Sequence, residues 1–136
     1  MDSNRKEILC LCRDHTTLYA RRMLLEHFGY SVLAIRSLTQ MNAVLRHTCP
    51  DMLLLDITDP AFNFEEIAKR AKSVCPRMLS VALTPEYGLR NSDSGAIDGF
   101  IRLDGPRDEW RIGLQSLFAD QDGGSVDEDS GELKLT

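Results

Sequence analysis

Asp56 is the residue of this chain best placed to do chemistry. It ends the apolar part of the run Pro50-Asp51-Met52-Leu53-Leu54-Leu55-Asp56-Ile57-Thr58-Asp59-Pro60, in which four apolar residues, too few for a helix, stand between a Pro-Asp breaker and a carboxylate. Such a run reads as a strand buried on both faces, and so as part of a parallel sheet with helices on each side. In open parallel sheets, ligands and chemistry gather beyond the carboxyl ends of the strands. A lone carboxylate there costs free energy unless a cation or a hydrogen-bond donor satisfies it. Near the end of an earlier strand candidate lie Cys12, Asp14 and His15, donor types that could bind a transition metal. Their spacing is irregular, and Cys10 and Cys12 point to the same side of a strand, which suits packing better. Asp14 reads either as a metal ligand or as a helix N-cap, and Thr84 before Pro85 reads as a strand-end turn residue.

These residues need elements to position them, and five strand candidates alternate with helical patterns. The strands are expected at 7–12, 31–35, 52–56, 78–83 and 99–103. A helix over 16–28, with Leu18, Leu25 and Phe28 on one side, is closed by Gly29 as a cap. Ser37 and Gln40 form a capping-box pattern opening a helix to about residue 47, with Leu38, Met41 and Leu45 inward. Asn63 caps a third helix ending near Val74. The segment 85–94 is rich in glycine, serine and asparagine, so any helix there is short. Pro106 begins a last helix with Trp110, Leu114, Leu117 and Phe118 on one stripe. The alternation calls for a three-layer α/β domain with right-handed crossovers.

Composition bounds what the domain can be. With 136 residues, 43% of them hydrophobic and 27% charged, the chain has the size and make-up of one ordinary globular domain. No apolar run approaches the roughly 20 residues that span a bilayer, and residues 1–6 lack a signal-peptide core. The four cysteines, Cys10, Cys12, Cys49 and Cys75, include no CxxC pair and are expected to be free, reduced thiols of a cytoplasmic protein. Of the formal charge of −5, the first 118 residues contribute nothing, holding fifteen basic and fifteen acidic side chains. The acidic residues Asp120, Asp122, Asp127, Glu128, Asp129 and Glu132 therefore make 119–136 a solvated, disordered tail on a domain spanning 1–118. Neither part offers a basic face, which argues against nucleic acid as a partner.

The run PDMLLLDITDP, with GYSV after the first helix, VALT on the fourth strand and AIDGFI on the fifth, resembles the receiver domain of two-component response regulators over residues 7–118. The resemblance implies a flavodoxin-like sheet of order 2-1-3-4-5 with the active site between strands one and three. It implies Asp56 as phosphoacceptor, Thr84 as the hydroxyl that contacts the phosphoryl group and Phe100 as the switch aromatic. It also implies Mg²⁺ held by Asp56, by Asp14 and by the backbone carbonyl of Thr58. Two positions depart from the family. The acidic pair falls on Cys12 and Arg13, and the lysine position is Leu103, flanked by Arg102 and Asp104. A thiol offers Mg²⁺ nothing, whereas Arg13 could supply positive charge in the metal's place or pair with Asp56 and block it.

Three functions follow as expectations. The first is a non-enzymatic receiver in phosphorelay signalling, taking a phosphoryl group from a sensor histidine kinase or phosphotransfer protein. It would act on a downstream protein, or as a homodimer, through the face of helix four, strand five and helix five. The second is a pseudo-receiver, a phosphorylation-independent interaction or dimerisation module. The third, a flavin or cobalamin carrier on the same fold, lacks its sequence signals: Asp14 and His15 are adjacent with no glycine following, and no Ser/Thr/Gly-rich phosphate loop follows strand one.

Overall fold

A computed structural model describes residues 5–85 and 95–130, the last nine of these as backbone alone. The strands are β1 (Glu7–Leu11), β2 (Ser31–Ile35), β3 (Met52–Asp56), β4 (Leu79–Thr84) and β5 (Gly99–Arg102). They form one parallel sheet in the order β2-β1-β3-β4-β5, as expected. The helices are α1 (His15–His27), α2 (Leu38–Leu45), α3 (Phe64–Val74) and α4 (Arg107–Ser130). The segment 86–94, where a short helix was considered, lies outside the described residues. Among the described residues no helix is long and apolar enough to cross a membrane.

Local chemistry sets the element boundaries. Ser37 Oγ accepts from Gln40 N at 3.1 Å, while Gln40 Oε1 reaches back to Arg36 N at 2.6 Å, so the expected capping box closes one residue earlier than its usual partner. Asn63 Oδ1 accepts from Glu66 N at 3.1 Å and opens α3. At the end of α1, Gly29 takes φ +101°, and Tyr30 N bonds Leu25 O while Gly29 N bonds Glu26 O. That is a Schellman closure, which glycine adopts without the Cβ penalty. Asp51 holds three strands in register at their entry. Its carboxylate accepts from Glu7 N at 2.8 Å, its N–H donates to Glu7 O at 2.9 Å, and its carbonyl accepts from Leu79 N at 3.0 Å.

The core divides by the two-residue period of the strands. Leu9, Leu11, Leu53 and Leu55 join Met41 and Leu45 of α2 and Ile67, Ala68 and Ala71 of α3 in one buried cluster. The alternate residues Ile8, Cys10, Met52 and Leu54 face the other way and are also buried, on the side where α1 buries Leu18 and Leu25. At the β4–β5 edge, Asp98 accepts from Lys72 Nζ and Ser80 N, and Lys72 also donates to Met78 O, tying α3 to both strands.

Two expectations are corrected. Leu38 of α2 is 38% exposed rather than inward. It is the first residue of its helix, ahead of the turns that pack on the core. The span of α4 runs to Ser130. In α4 itself, Trp110, Leu114 and Phe118 are buried and Ile112 is exposed, which matches the expected stripe.

The second correction concerns the cysteines. Cys10 and Cys12 are free and buried, but Cys49 and Cys75 form a disulfide. Cys49 precedes β3, and Cys75 caps α3 just ahead of β4. Since β3 and β4 are neighbours, their entries lie side by side, and the Cα atoms come within 5.7 Å, in the range a disulfide spans. Closing a loop of 26 residues stabilises the fold by about 3 kcal/mol through the entropy of the unfolded chain. Cys49→Ser is therefore expected to lower the urea unfolding free energy by about 3 kcal/mol and to abolish its response to reductant. Thiol titration of the unfolded, unreduced chain should count the two thiols of Cys10 and Cys12; a count of four would refute the bond.

Candidate functional site

The parity that splits the core also aims Asp56. Leu53 and Leu55 turn toward α2 and α3, so Leu54 and Asp56 turn toward α1. There Asp56 meets Arg21, with Arg21 Nη2 2.9 Å from Asp56 Oδ2 and each side chain 12% exposed. The other oxygen, Oδ1, accepts from Thr58 N at 2.9 Å and from Thr58 Oγ1 at 2.6 Å, a side-chain turn closing the loop after β3. Both carboxylate oxygens are engaged by the protein itself. Arg21 Nη1 is buried with no partner among the described residues, an arrangement that lowers the net worth of the pair by about 1–3 kcal/mol.

Around this pair lies a cleft of about 560 Å³ lined by Cys12, Arg13, Asp14, Thr17, Thr58, Asp59, Pro60 and Leu103 as well as Arg21 and Asp56. Asp14 is the N-cap of α1, its Oδ2 accepting from Thr17 N at 2.8 Å and Thr17 Oγ1 at 2.7 Å. These bonds hold its carboxyl below the usual carboxylate range. Arg13 forks onto Asp59, Nε to Oδ2 at 3.0 Å and Nη2 to Oδ1 at 3.2 Å. The fork holds Asp59 low and raises Arg13. For both depressed carboxyls, the stability contributed is complete above about pH 4 and is lost as pH falls through the lowered values. Buried Cys10, beneath the site on β1, is pushed up to about 12 mainly by desolvation and stays a protonated thiol.

The other expected residues lie as follows. Thr84 is 4% exposed at the end of β4, where its carbonyl accepts from Leu103 N, and Phe100 is half-buried on β5 rather than in the core. Neither lines the cleft. Leu103 does, so the family's lysine position presents an apolar side chain. Arg102 pairs in register with Thr84 and is not among the lining residues, and Arg13 is committed to Asp59. The cation beside Asp56 is therefore neither of the arginines singled out from the sequence. Arg21 was missed, although a signal existed: it occupies the inward stripe of α1 between Leu18 and Leu25, at i, i+3 and i+7, where a charge needs a buried partner.

The donor set can be tested against the Mg²⁺ that the fold family implies. Mg²⁺ requires an octahedron of oxygen ligands, including one or two carboxylates free to approach it. Here Asp56 Oδ2 already faces a guanidinium, Asp14 caps a helix, and Cys12 and Arg13 stand where acidic residues would be needed. Among the described residues no three His, Cys, Asp or Glu side chains converge on a metal-binding point. The residues present do not fit Mg²⁺. The positive charge at this site belongs to Arg21.

An ion pair this enclosed is costly to break on one side. Arg21→Met and Asp56→Leu are each expected to destabilise the fold by about 2 kcal/mol in urea unfolding. The double variant should lose less than the two single losses combined, with a coupling of about 1 kcal/mol. Strict additivity would show that the pair contributes nothing.

No family model and no curated protein matches the chain. Solved structures do. A response regulator receiver domain from Clostridium thermocellum is similar with a TM-score of 0.74 at 21% identity, covering 86% of this chain and 97% of its own. A CheY-like receiver domain from Methanospirillum hungatei JF-1 is similar with a TM-score of 0.76 at 21% identity, covering 88% and 98%. A response regulator receiver modulated diguanylate cyclase from Pelobacter carbinolicus follows with 0.71 at 18% identity, covering 88% and 97%. At these identities the likeness concerns the fold: the chain has the flavodoxin-like fold of response regulator receiver domains.

Proposed function

We propose that this chain is a receiver-fold signalling module that works by protein contact, its phosphoacceptor position closed by an internal ion pair. One observation carries the reading: Arg21 and Thr58 together engage both oxygens of Asp56. An acyl phosphate forms only when a carboxylate oxygen is free to attack phosphorus while cations neutralise the equatorial oxygens. Arg21 would have to leave the nucleophile, and Leu103 brings no ammonium group to the product. Residues 1–118 would be the module and 119–136 an acidic appendage. The setting would be cytoplasmic, the partners other proteins and the activity free of catalytic turnover.

Incubation with phosphoramidate and Mg²⁺, followed by intact-mass measurement, tests the reading. The expected result is an unmodified chain, with no rise in melting temperature on adding beryllium fluoride and Mg²⁺. A phosphoryl adduct that Asp56→Asn abolishes would overturn it. That outcome would restore a phosphorelay receiver served by a histidine kinase or phosphotransfer protein.

A further inference from the structure

The Cys49–Cys75 bond joins a sulfur at the surface to one in the core. Cys49 is exposed, in the segment between α2 and β3. Cys75 is 1% exposed and belongs to the apolar cluster that includes Leu45, Ile67, Ala71 and Met78. Thiol–disulfide exchange needs access to a sulfur, so of the two it is Cys49 Sγ that a reductant can reach. The backbone holds both residues in place without the sulfurs. The carbonyl of Asp51, two residues after Cys49, accepts from Leu79 N at 3.0 Å. Cys75 N donates to Ala71 O at 2.7 Å, and its carbonyl accepts from Met78 N at 3.0 Å. Once the bond is cut, Cys75 is a neutral thiol among apolar side chains, surroundings that suit a small hydrophobe. The ring of chain that the bond closes, 49–75, contains all of β3 and α3, and with them Asp56 and Thr58.

We infer that Cys49 is the reactive sulfur of a reversible thiol–disulfide switch, with Cys75 its buried partner, and that the switch sets how often the β3–α3 unit opens. The inference goes beyond the interaction-module reading and takes from it only the cytoplasmic setting, where a disulfide open to reductant is transient and redox-sensing. The reductant is a dithiol. One of its thiolates attacks Cys49 Sγ, the Cys49–Cys75 bond breaks, and Cys75 Sγ leaves with the electron pair and takes up a proton. The second thiolate attacks the reductant sulfur now bonded to Cys49 and releases Cys49 as a thiol. Two electrons and two protons pass to the cysteines, and the dithiol leaves as a disulfide. In the reverse direction the oxidant is hydrogen peroxide. The Cys49 thiolate displaces hydroxide from it to form a sulfenic acid, Cys75 attacks that sulfur, and two waters result for each bond formed.

The test uses the full, oxidised chain without denaturant. Dithiothreitol followed by iodoacetamide is expected to place a single carbamidomethyl group, at Cys49 by peptide mapping, with the circular dichroism spectrum unchanged. Hydrogen peroxide should rebuild the bond in the reduced wild type. In Cys75→Ser it should instead leave a sulfenic acid at Cys49 that dimedone traps, and in Cys49→Ser no adduct should form. Amide exchange in α3 should quicken by about 100-fold on reduction, the factor for releasing a loop of 26 residues. The wild-type labelling and exchange stand without either variant. A bond that yields to dithiothreitol only in urea, as a purely structural disulfide would, overturns the inference. So does labelling of Cys75 before Cys49, no recovery of the bond with peroxide, or α3 exchange indifferent to reduction. The phosphodonor experiment does not depend on these sulfurs, so the two readings fail separately.

Discussion

Everything around Asp56 depends on the two-residue period of β3. Met52 to Leu55 are buried on both faces of the sheet, so each residue is assigned to one helical layer by parity alone. The next step along the strand must continue the alternation, and it sends the carboxylate to the α1 side. There it meets Arg21 of α1 and Thr58 of the loop that follows β3. Shifting β3 by one residue would exchange the two layers and leave Asp56 facing the apolar cluster of α2 and α3. Asp51 prevents this by bonding β1 and β4 at the strand entry.

The pair that results is what supports the proposal that the carboxylate on this receiver-like sheet is closed to phosphoryl transfer. A guanidinium delivers fixed positive charge through directed N–H bonds, whereas a divalent cation delivers it through exchangeable oxygen ligands. The guanidinium is part of the chain, so its effective concentration at Asp56 is set by the packing of α1. Neighbouring charges are consumed in the same manner: Arg13 by Asp59, and Asp14 by the first turn of α1. All five charged side chains that line the cleft, Arg13, Asp14, Arg21, Asp56 and Asp59, are engaged by other protein groups.

The Cys49–Cys75 bond belongs to the opposite end of the sheet, where β3 and β4 begin. It ties the segment that follows α2 to the C-cap of α3, next to the half-exposed Val74.

Much of this was legible in the chain itself. Strands β2 and β3, the caps Ser37 and Asn63, the closing Gly29 and the position of Asp56 follow from local rules: alternation, capping geometry and the freedom of glycine at positive φ. The sheet order needed the family resemblance, because alternation of strands and helices does not state which strands are neighbours. Two features needed tertiary structure. Arg21 could be flagged as a charge on a buried stripe, but only the packing of α1 on the β1–β2 side of the sheet brings it to its partner at the end of β3. Cys49 and Cys75 look like two unrelated thiols until β3 and β4 are set side by side. In both cases the physical reason is the same: the interaction joins residues far apart in the chain, and local propensity carries no information about which distant groups the fold brings together.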